Sequence, residues 1–333
     1  MTVRDIAKLA NVSPAAVSLA INNKPGISEK KRKEILAIIA SSDFTMPHKT
    51  AADTSNNLVF LKLTKHSLLI EQNANFISKI MDSIQEKCKE LGYTLQVDLI
   101  HEDFEKNISE LNYANIDGIF VVGTEIGAED YNALNAIKVP YIVIDNSMPN
   151  FPCNTITMSN EEMTYTAIEQ LARTGEKDIG HLRGNIYCQN FLERHIGMQN
   201  AIRDFHLEFS AKKEFLLTPT VIGSYEDMKA YLDKKTAVPR IMFADNDTIA
   251  IGAMKALTEY GYKIGQDISI IGFDDINLAE TASPPLSTMQ VQGSMIGTMA
   301  TMTLVNEIKH KNPTYYKTKV GGKLILRTST KVL

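Results

Sequence analysis

At 333 residues, 44% hydrophobic and 22% charged, the chain has room for two or three folding units and ordinary capacity to bury cores. No apolar run approaches the roughly 18 residues of a membrane span, and Arg4 and Asp5 stand where a signal peptide would be apolar, so neither membrane insertion nor export is expected. Cys88, Cys153 and Cys188 are odd in number, far apart and without a CxxC pair, which argues against a disulfide or zinc framework and for buried thiols in a cytoplasmic protein.

The first stretch, TVRDIAKLANVSPAAVSLAIN (2–22), predicts two short helices. Thr2 with Asp5 three residues on reads as a helix start, and Ile6, Leu9 and Ala10 recur at helical spacing. Asn11 stops that helix. Ser13 and Pro14 open the next, as N-cap and first helical position, and Val17, Ala20 and Ile21 supply its apolar stripe. Two helices about a tight turn make a helix-turn-helix, whose second helix enters the DNA major groove. A third helix follows from Ser28, with Ile35, Leu36 and Ile39 on one side and Lys30, Lys31, Arg32 and Lys33 near its start. Residues 1–50 hold eight Lys and Arg against four acids, a local +4 on a chain of −4, which leaves −8 on the remainder. A basic N-terminal module on an acidic body is the asymmetry of phosphate binding in one place.

Residues 46–57 are small and polar, with Pro47 marking a break, and read as a hinge linker between a headpiece (1–45) and the rest. From Leu58 onward, short apolar strands alternate with amphipathic helices. Strands are expected at 58–63, 93–100, 117–123, 141–145, 178–184, 215–218, 240–245, 268–275 and 287–292, with helices at 76–92, 128–137, 160–174, 191–205, 224–234, 247–261 and 293–310. This alternation predicts parallel sheets covered on both faces. The theme runs twice, so the expected fold is α/β: two doubly wound subdomains facing a cleft, behind an all-α helix-turn-helix headpiece. Open α/β sheets bind ligands at the carboxyl ends of their strands.

The sequence resembles the LacI/GalR family of bacterial transcriptional regulators, of lactose-repressor and purine-repressor type. The likeness is carried by TVRDIAKLANVS…VS…IN…PGIS at the N-terminus and by FADNDTIAIGAMKAL (243–257), ISIIGFDDI (268–276), PPLSTM (284–289) and LILRTST (324–330). It implies a periplasmic-binding-protein-like core over 58–333. Its N-subdomain is expected at about 58–157 plus 290–318 and its C-subdomain at about 158–289 plus 319–333. The family's base-reading positions fall here on Pro14, Ala15 and Leu19, with Val17 as packing and Ser18 on phosphate. None of the first three offers a bidentate hydrogen bond, so readout should lean on thymine methyls, with phosphate positioning from Thr2, Ser13, Ser18, Asn22 and Lys24. The family's hinge helix inserts a Leu into the minor groove. The matching position is Thr54 counted from Pro47, or Asp53 counted from Phe44, and Lys49 is the segment's only base; without an apolar wedge, little kinking is expected.

For the effector, the resemblance points to Arg194 (R-x-x-G), Asn246 (F-x-x-N-D) and Asp274 (G-F-D-D), whose donors and acceptors suit a polyol. An Arg194–Asp274 buried ion pair would account for both residues without a ligand. Asp247 is expected to cap helix 248–260, leaving Asn246 for the ligand. From the first subdomain, Asn75, Phe76, Asp145 and Asn146 follow strand ends. Tyr187, Phe191 and His195 stand near them.

No G-x-G-x-x-G or G-x-x-x-x-G-K-[ST] follows a strand, no nucleophile, base and orienter form a motif, and no His/Cys/Asp cluster has metal spacing, so catalysis, a cofactor and a metal are not expected. The expected protein is a sequence-specific DNA-binding repressor under allosteric control by a small polar effector, a sugar or sugar derivative. Its expected partners are a second copy of itself and a pseudo-palindromic double-stranded operator.

Overall fold

A computed structural model describes residues 3–21, 26–40, 42, 55–65, 74–101, 103–310 and 314–331, which fall into two units, Met1–Ser55 and Asn56–Leu333. In the first unit, α1 (Val3–Leu9), α2 (Pro14–Ile21) and α3 (Glu29–Ala40) pack around Ile6, Ala7, Ala10, Val17, Ala20 and Ile35. Asn11 ends α1 by turning left-handed at φ 51°, a conformation Asn tolerates better than most residues. Ser13 Oγ accepts from Ala16 N at 3.2 Å, which forms the predicted cap, and Ser28 Oγ caps α3 in the same way, accepting from Lys31 N at 3.3 Å. The inward face of α1 is Ile6 and Ala7, continued by Ala10 just past its end; Leu9 is 63% exposed.

The second unit holds two six-stranded sheets. The first is ordered β11-β5-β4-β3-β1-β2 and wholly parallel; it comprises β1 (Asn57–Thr64), β2 (Thr94–His101), β3 (Gly118–Val122), β4 (Tyr141–Ile144), β5 (Asn154–Met158) and β11 (Lys317–Val320). Leu58, Phe60, Phe120 and Val122 face α4 (Ala74–Glu90) and α11 (Gly293–His310). Val59, Leu61, Ile119 and Val121 face α5 (Phe104–Glu110) and the 3-10 helix Ala128–Ala136. Burial on both faces is why these strands are continuously apolar. The second sheet is ordered β12-β10-β9-β8-β6-β7, with β6 (Ile179–Gly184), β7 (Glu214–Leu217), β8 (Ile241–Ala244), β9 (Ser269–Asp274), β10 (Ser287–Gln290) and the antiparallel edge β12 (Lys323–Ile325). Around it lie α6 (Asn160–Ala172), α7 (Gln189–Asp204), α8 (Val221–Asp233), α9 (Asp247–Glu259) and the short α10 (Asn277–Thr281).

The chain passes between the two sheets three times, at Ser159, at Val291 and Gln292, and at Gly321 and Gly322. One apolar cluster runs through both lobes, joining Phe60 and Met158 to Met163, Phe243 and Phe273. Among the described residues no helix is long and apolar enough to cross a membrane.

Three strands were not foreseen. β5 is NTITM, half polar in sequence yet buried throughout, and β11 and β12 are short, charged edges. The helix expected at 128–137 is a 3-10 helix over Ala128–Ala136. The LILRTST segment works as a strap: Arg327 pairs with Asp275 at 2.8 Å, and Ser329 accepts from Ser287 N and donates to the Ile270 carbonyl.

Candidate functional site

Both sheets carry their polar groups at the carboxyl ends of the strands. Thr124 and Asp145 follow β3 and β4; Asp245 and Asn246 follow β8; Asp274 ends β9. Two of these turns place non-glycine residues at positive φ, Asp145 at 64° and Asp274 at 110°, a strain of roughly 1–3 kcal/mol each of the kind that gathers at ligand sites. The start of α7 brings Cys188, Asn190, Phe191 and Arg194 over the same seam. Phe76 and Ile77 close it from α4.

Arg194 is the hub. It is 3% exposed, and its guanidinium lies over the Phe273 ring at 3.7 Å from the centroid. Nε donates to Asn160 Oδ1 at 2.9 Å, Nη1 donates to the Asp245 carbonyl, and Nη2 reaches Asp274 Oδ1 at 3.4 Å. The ion pair anticipated for Arg194 and Asp274 therefore forms, but it is the longest of the three contacts. From Asn160 the network continues to Asn190 Oδ1 at 3.0 Å, and Asn190 Nδ2 donates across the seam to Asp145 Oδ1 at 2.9 Å. Thr124 Oγ1 donates to the other Asp145 oxygen at 2.5 Å. Burial pushes the Asp145 carboxyl up to about 6, against the pull of Thr124, the Arg194 charge and Asn190. The Cys188 thiol, buried by the same closure, is pushed up to about 12 and is unreactive at neutral pH.

The space among these groups is about 20 Å³, room for one water and far below the roughly 300 Å³ at which small-molecule pockets begin. The lobes are thus closed on each other, with the Asn190–Asp145 hydrogen bond across the place a ligand would take. A larger hollow, about 1030 Å³, lies beside Lys65, Phe104, Glu129 and Asp130. Lys65 pairs there with Glu129 at 2.7 Å and with Asp130 at 2.5 Å, and none of its lining residues belongs to the seam just described.

One expected effector residue and one expected cap are corrected. Asn146 is fully buried; its amide donates to the Gly123 and Ile126 carbonyls at 2.9 and 3.0 Å, and its oxygen accepts from Met148 N at 2.8 Å. All its polar capacity in these bonds goes to shaping the loop after β4. The cap expected of Asp247 is made by Asn246 instead. Asn246 is the N-cap of α9, accepting from Ile249 N at 2.9 Å, while Asp247 accepts from Thr288 Oγ1 at 2.6 Å and Ile276 N at 3.0 Å. Asn246 Nδ2 is buried without a partner, a donor whose burial is costly until something accepts from it. Only the backbone of Asn75 is described, in α4. Tyr187 is 57% exposed. Thr124, Asn160, Cys188, Asn190 and Phe273 were missed, because each meets its partner only through the tertiary fold.

On the headpiece, Pro14, Ala15 and Ser18 are exposed along α2, and Ser13 is exposed with its hydroxyl engaged as the cap. Val17 has no exposed surface and packs in the headpiece core. Leu19 is half-buried, and its carbonyl accepts from Arg32 Nη1 at 3.2 Å. Arg32 is thereby folded inward, and Lys30 and Lys33 remain exposed. Thr2, Asn22 and Lys24, and the hinge residues Lys49, Asp53 and Thr54, lie outside the described residues.

Residues 2–46 match the family of bacterial regulatory proteins, lacI family, and residues 168–330 match the periplasmic binding protein-like domain. The HTH-type transcriptional repressor PurR of Vibrio cholerae serotype O1 is 30% identical over 320 residues, spanning 93% of this chain and 92% of that protein. The ribose operon repressor of Haemophilus influenzae is 27% identical over 336 residues, 98% of each chain. Among solved structures, the transcriptional regulator CelR–cellobiose complex superposes with a TM-score of 0.72 at 20% identity, covering 99% of both chains. The lac repressor dimer bound to operator and the anti-inducer ONPF does so with 0.72 at 22%, covering 100% of this chain and 99% of that one. At such identities the structural likeness speaks for the fold.

Proposed function

The chain belongs to the lacI family of bacterial regulatory proteins, and from that premise we propose how this DNA-binding transcriptional regulator is controlled: a small polyhydroxylated effector, a sugar or sugar derivative, enters the seam between the lobes and resets operator affinity. The observation that carries this is the Arg194 hub, a forked donor held flat against Phe273 and facing the meeting point of Asp145 and Asn190. A guanidinium donates in a fixed fork, carboxylates accept from paired hydroxyls, and an amide does both, which together describe a vicinal diol. The unpartnered Asn246 Nδ2 adds a donor awaiting an acceptor, and Phe76 supplies an apolar wall. A related repressor is named for ribose, and a structural neighbour holds cellobiose, which agrees with a sugar-class ligand.

Entry of the effector exchanges the Asn190–Asp145 bond for bonds to the ligand, and the lobes reset around it. Coupling of about 1–3 kcal/mol, or 5- to 150-fold in operator affinity, is the usual scale. The working form is a homodimer on a pseudo-palindromic site with half-sites about one helical turn apart. Its core contact is assigned to the free edge of the first sheet, where Val97 and Leu99 of β2 are 49% and 54% exposed.

A thermal-shift screen of sugars, sugar phosphates and purines tests the reading. A true effector at 100 times its Kd adds about 2.7 kcal/mol of stability. Arg194→Lys and Asp274→Asn keep size and are expected to retain operator binding while losing 10- to 100-fold in effector affinity, about 1–3 kcal/mol. Loss of operator binding in both would instead assign these residues to folding.

A further inference from the structure

Asp245 serves two neighbourhoods. Its carbonyl accepts from Arg194, while its carboxylate takes His181 Nε2 at 2.8 Å and Gly184 N at 2.9 Å. On the far side of the His181 ring, His181 on β6, His195 on α7 and Glu214 at the start of β7 bring three ligand atoms within 4.8 Å of one another. His181 and His195 lie stacked, centroids 5.6 Å apart. The Nδ1 atoms of both rings are buried and make no hydrogen bond. His181 has no exposed surface, whereas His195 and Glu214 are half-buried.

We propose that His181, His195 and Glu214 bind one divalent transition-metal ion of the zinc class, with water in the fourth position. Two imidazole nitrogens and one carboxylate are a donor set that zinc and its neighbours in the series accept. With the Nε2 proton of His181 given to Asp245, the lone pair sits on Nδ1, facing Glu214; a carboxylate behind a ligating histidine is the usual support of such a site. Ligands at 2.0–2.1 Å from a tetrahedral ion stand about 3.4 Å apart, so the present spread closes by about 1.4 Å at most, through the two half-buried side chains.

A proton is the rival occupant. Against the pull of burial, Asp245 and then Glu214 push His181 up to about 9, and a protonated ring would satisfy the carboxylates on both sides. It would leave His195 unexplained. The Nδ1 of His195 is buried with no hydrogen-bond partner among the described residues. A metal ion serves both nitrogens; a proton serves one. The assignment stands apart from the effector reading, since neither residue set depends on the other for its chemistry. Arg194 adjoins His195 in sequence and shares Asp245, which gives an ion here a route to the seam.

The test is titration of untagged, metal-stripped, full-length protein with Zn²⁺ alone by calorimetry, and with Co²⁺ alone by visible absorption. The expected results are one equivalent of zinc and the d–d spectrum of four-coordinate cobalt. His195→Ala and Glu214→Gln, at half-buried positions, are expected to keep their circular dichroism and to weaken zinc at least 100-fold. Absence of stoichiometric uptake by the parent protein overturns the proposal without recourse to any variant. So does uptake that both folded variants leave unchanged, which would mark an adventitious surface ion.

Discussion

Asp145 shows how much a single carboxylate can report. Folding raises its pKa from 3.8 to about 6, mainly by burial. Between those values the folded protein holds more protons than the unfolded chain, so stability falls as pH rises from 4 to 6 and stays lower above. The shift corresponds to about 3 kcal/mol at pH 7. Asp145→Asn removes the titration, and urea denaturation across pH 4–8 should find the variant gaining up to that amount relative to the parent as pH rises. Parallel curves would refute the assignment. The pair Asn246 and Asp247 marks where local reading stops. Either can cap a helix, and only the arrival of Thr288 and Ile276 at Asp247 decides between them. Arg194 and Asp274 were legible because their motifs are distinctive, but Asn190 was not: its partner lies 45 positions away on the other lobe.

Among elements, those with one clear periodicity or a continuous apolar run were readable in advance, to within a few residues at their ends. β5 was not, because Thr155 and Thr157 are buried polar residues in a run too short to show a period. Helix contacts are tighter than their sequences suggest. A Cβ at Gly252 of α9 would collide with Ser224 Oγ and the Val221 carbonyl on α8, and backbone cannot yield cheaply. Gly252→Ala is expected to cost about 1–3 kcal/mol, seen as a lower denaturation midpoint; an unchanged midpoint would mean α8 and α9 separate freely. In the hinge linker, the sequence alone speaks. With Asp53 or Thr54 where the family carries an apolar wedge, a circular-permutation gel assay should show little operator bending, and a strong kink would show that another residue intercalates.

For the whole molecule, the exposed β2 edge makes assembly testable. Leu99→Asp places a charge on that apolar strip and is expected to shift sedimentation from dimer to monomer. Operator affinity should fall at least tenfold while the effector-induced thermal shift persists; an unaltered sedimentation coefficient would place the contact elsewhere. The repeated strand-helix theme foretold two lobes, since each needs its own sheet buried on both faces. What no local pattern could foretell is that those lobes would rest shut, since that depends on side chains arriving from opposite halves.

The three interlobe passages at Ser159, Val291–Gln292 and Gly321–Gly322 carry one last implication. A pair of bodies laced by three short backbone segments cannot drift apart or spin freely, so its freedom reduces to a swing of small amplitude about nearly a single line. Whatever molecule wedges the jaws sets one angle, and that angle is the whole of the message the core can send.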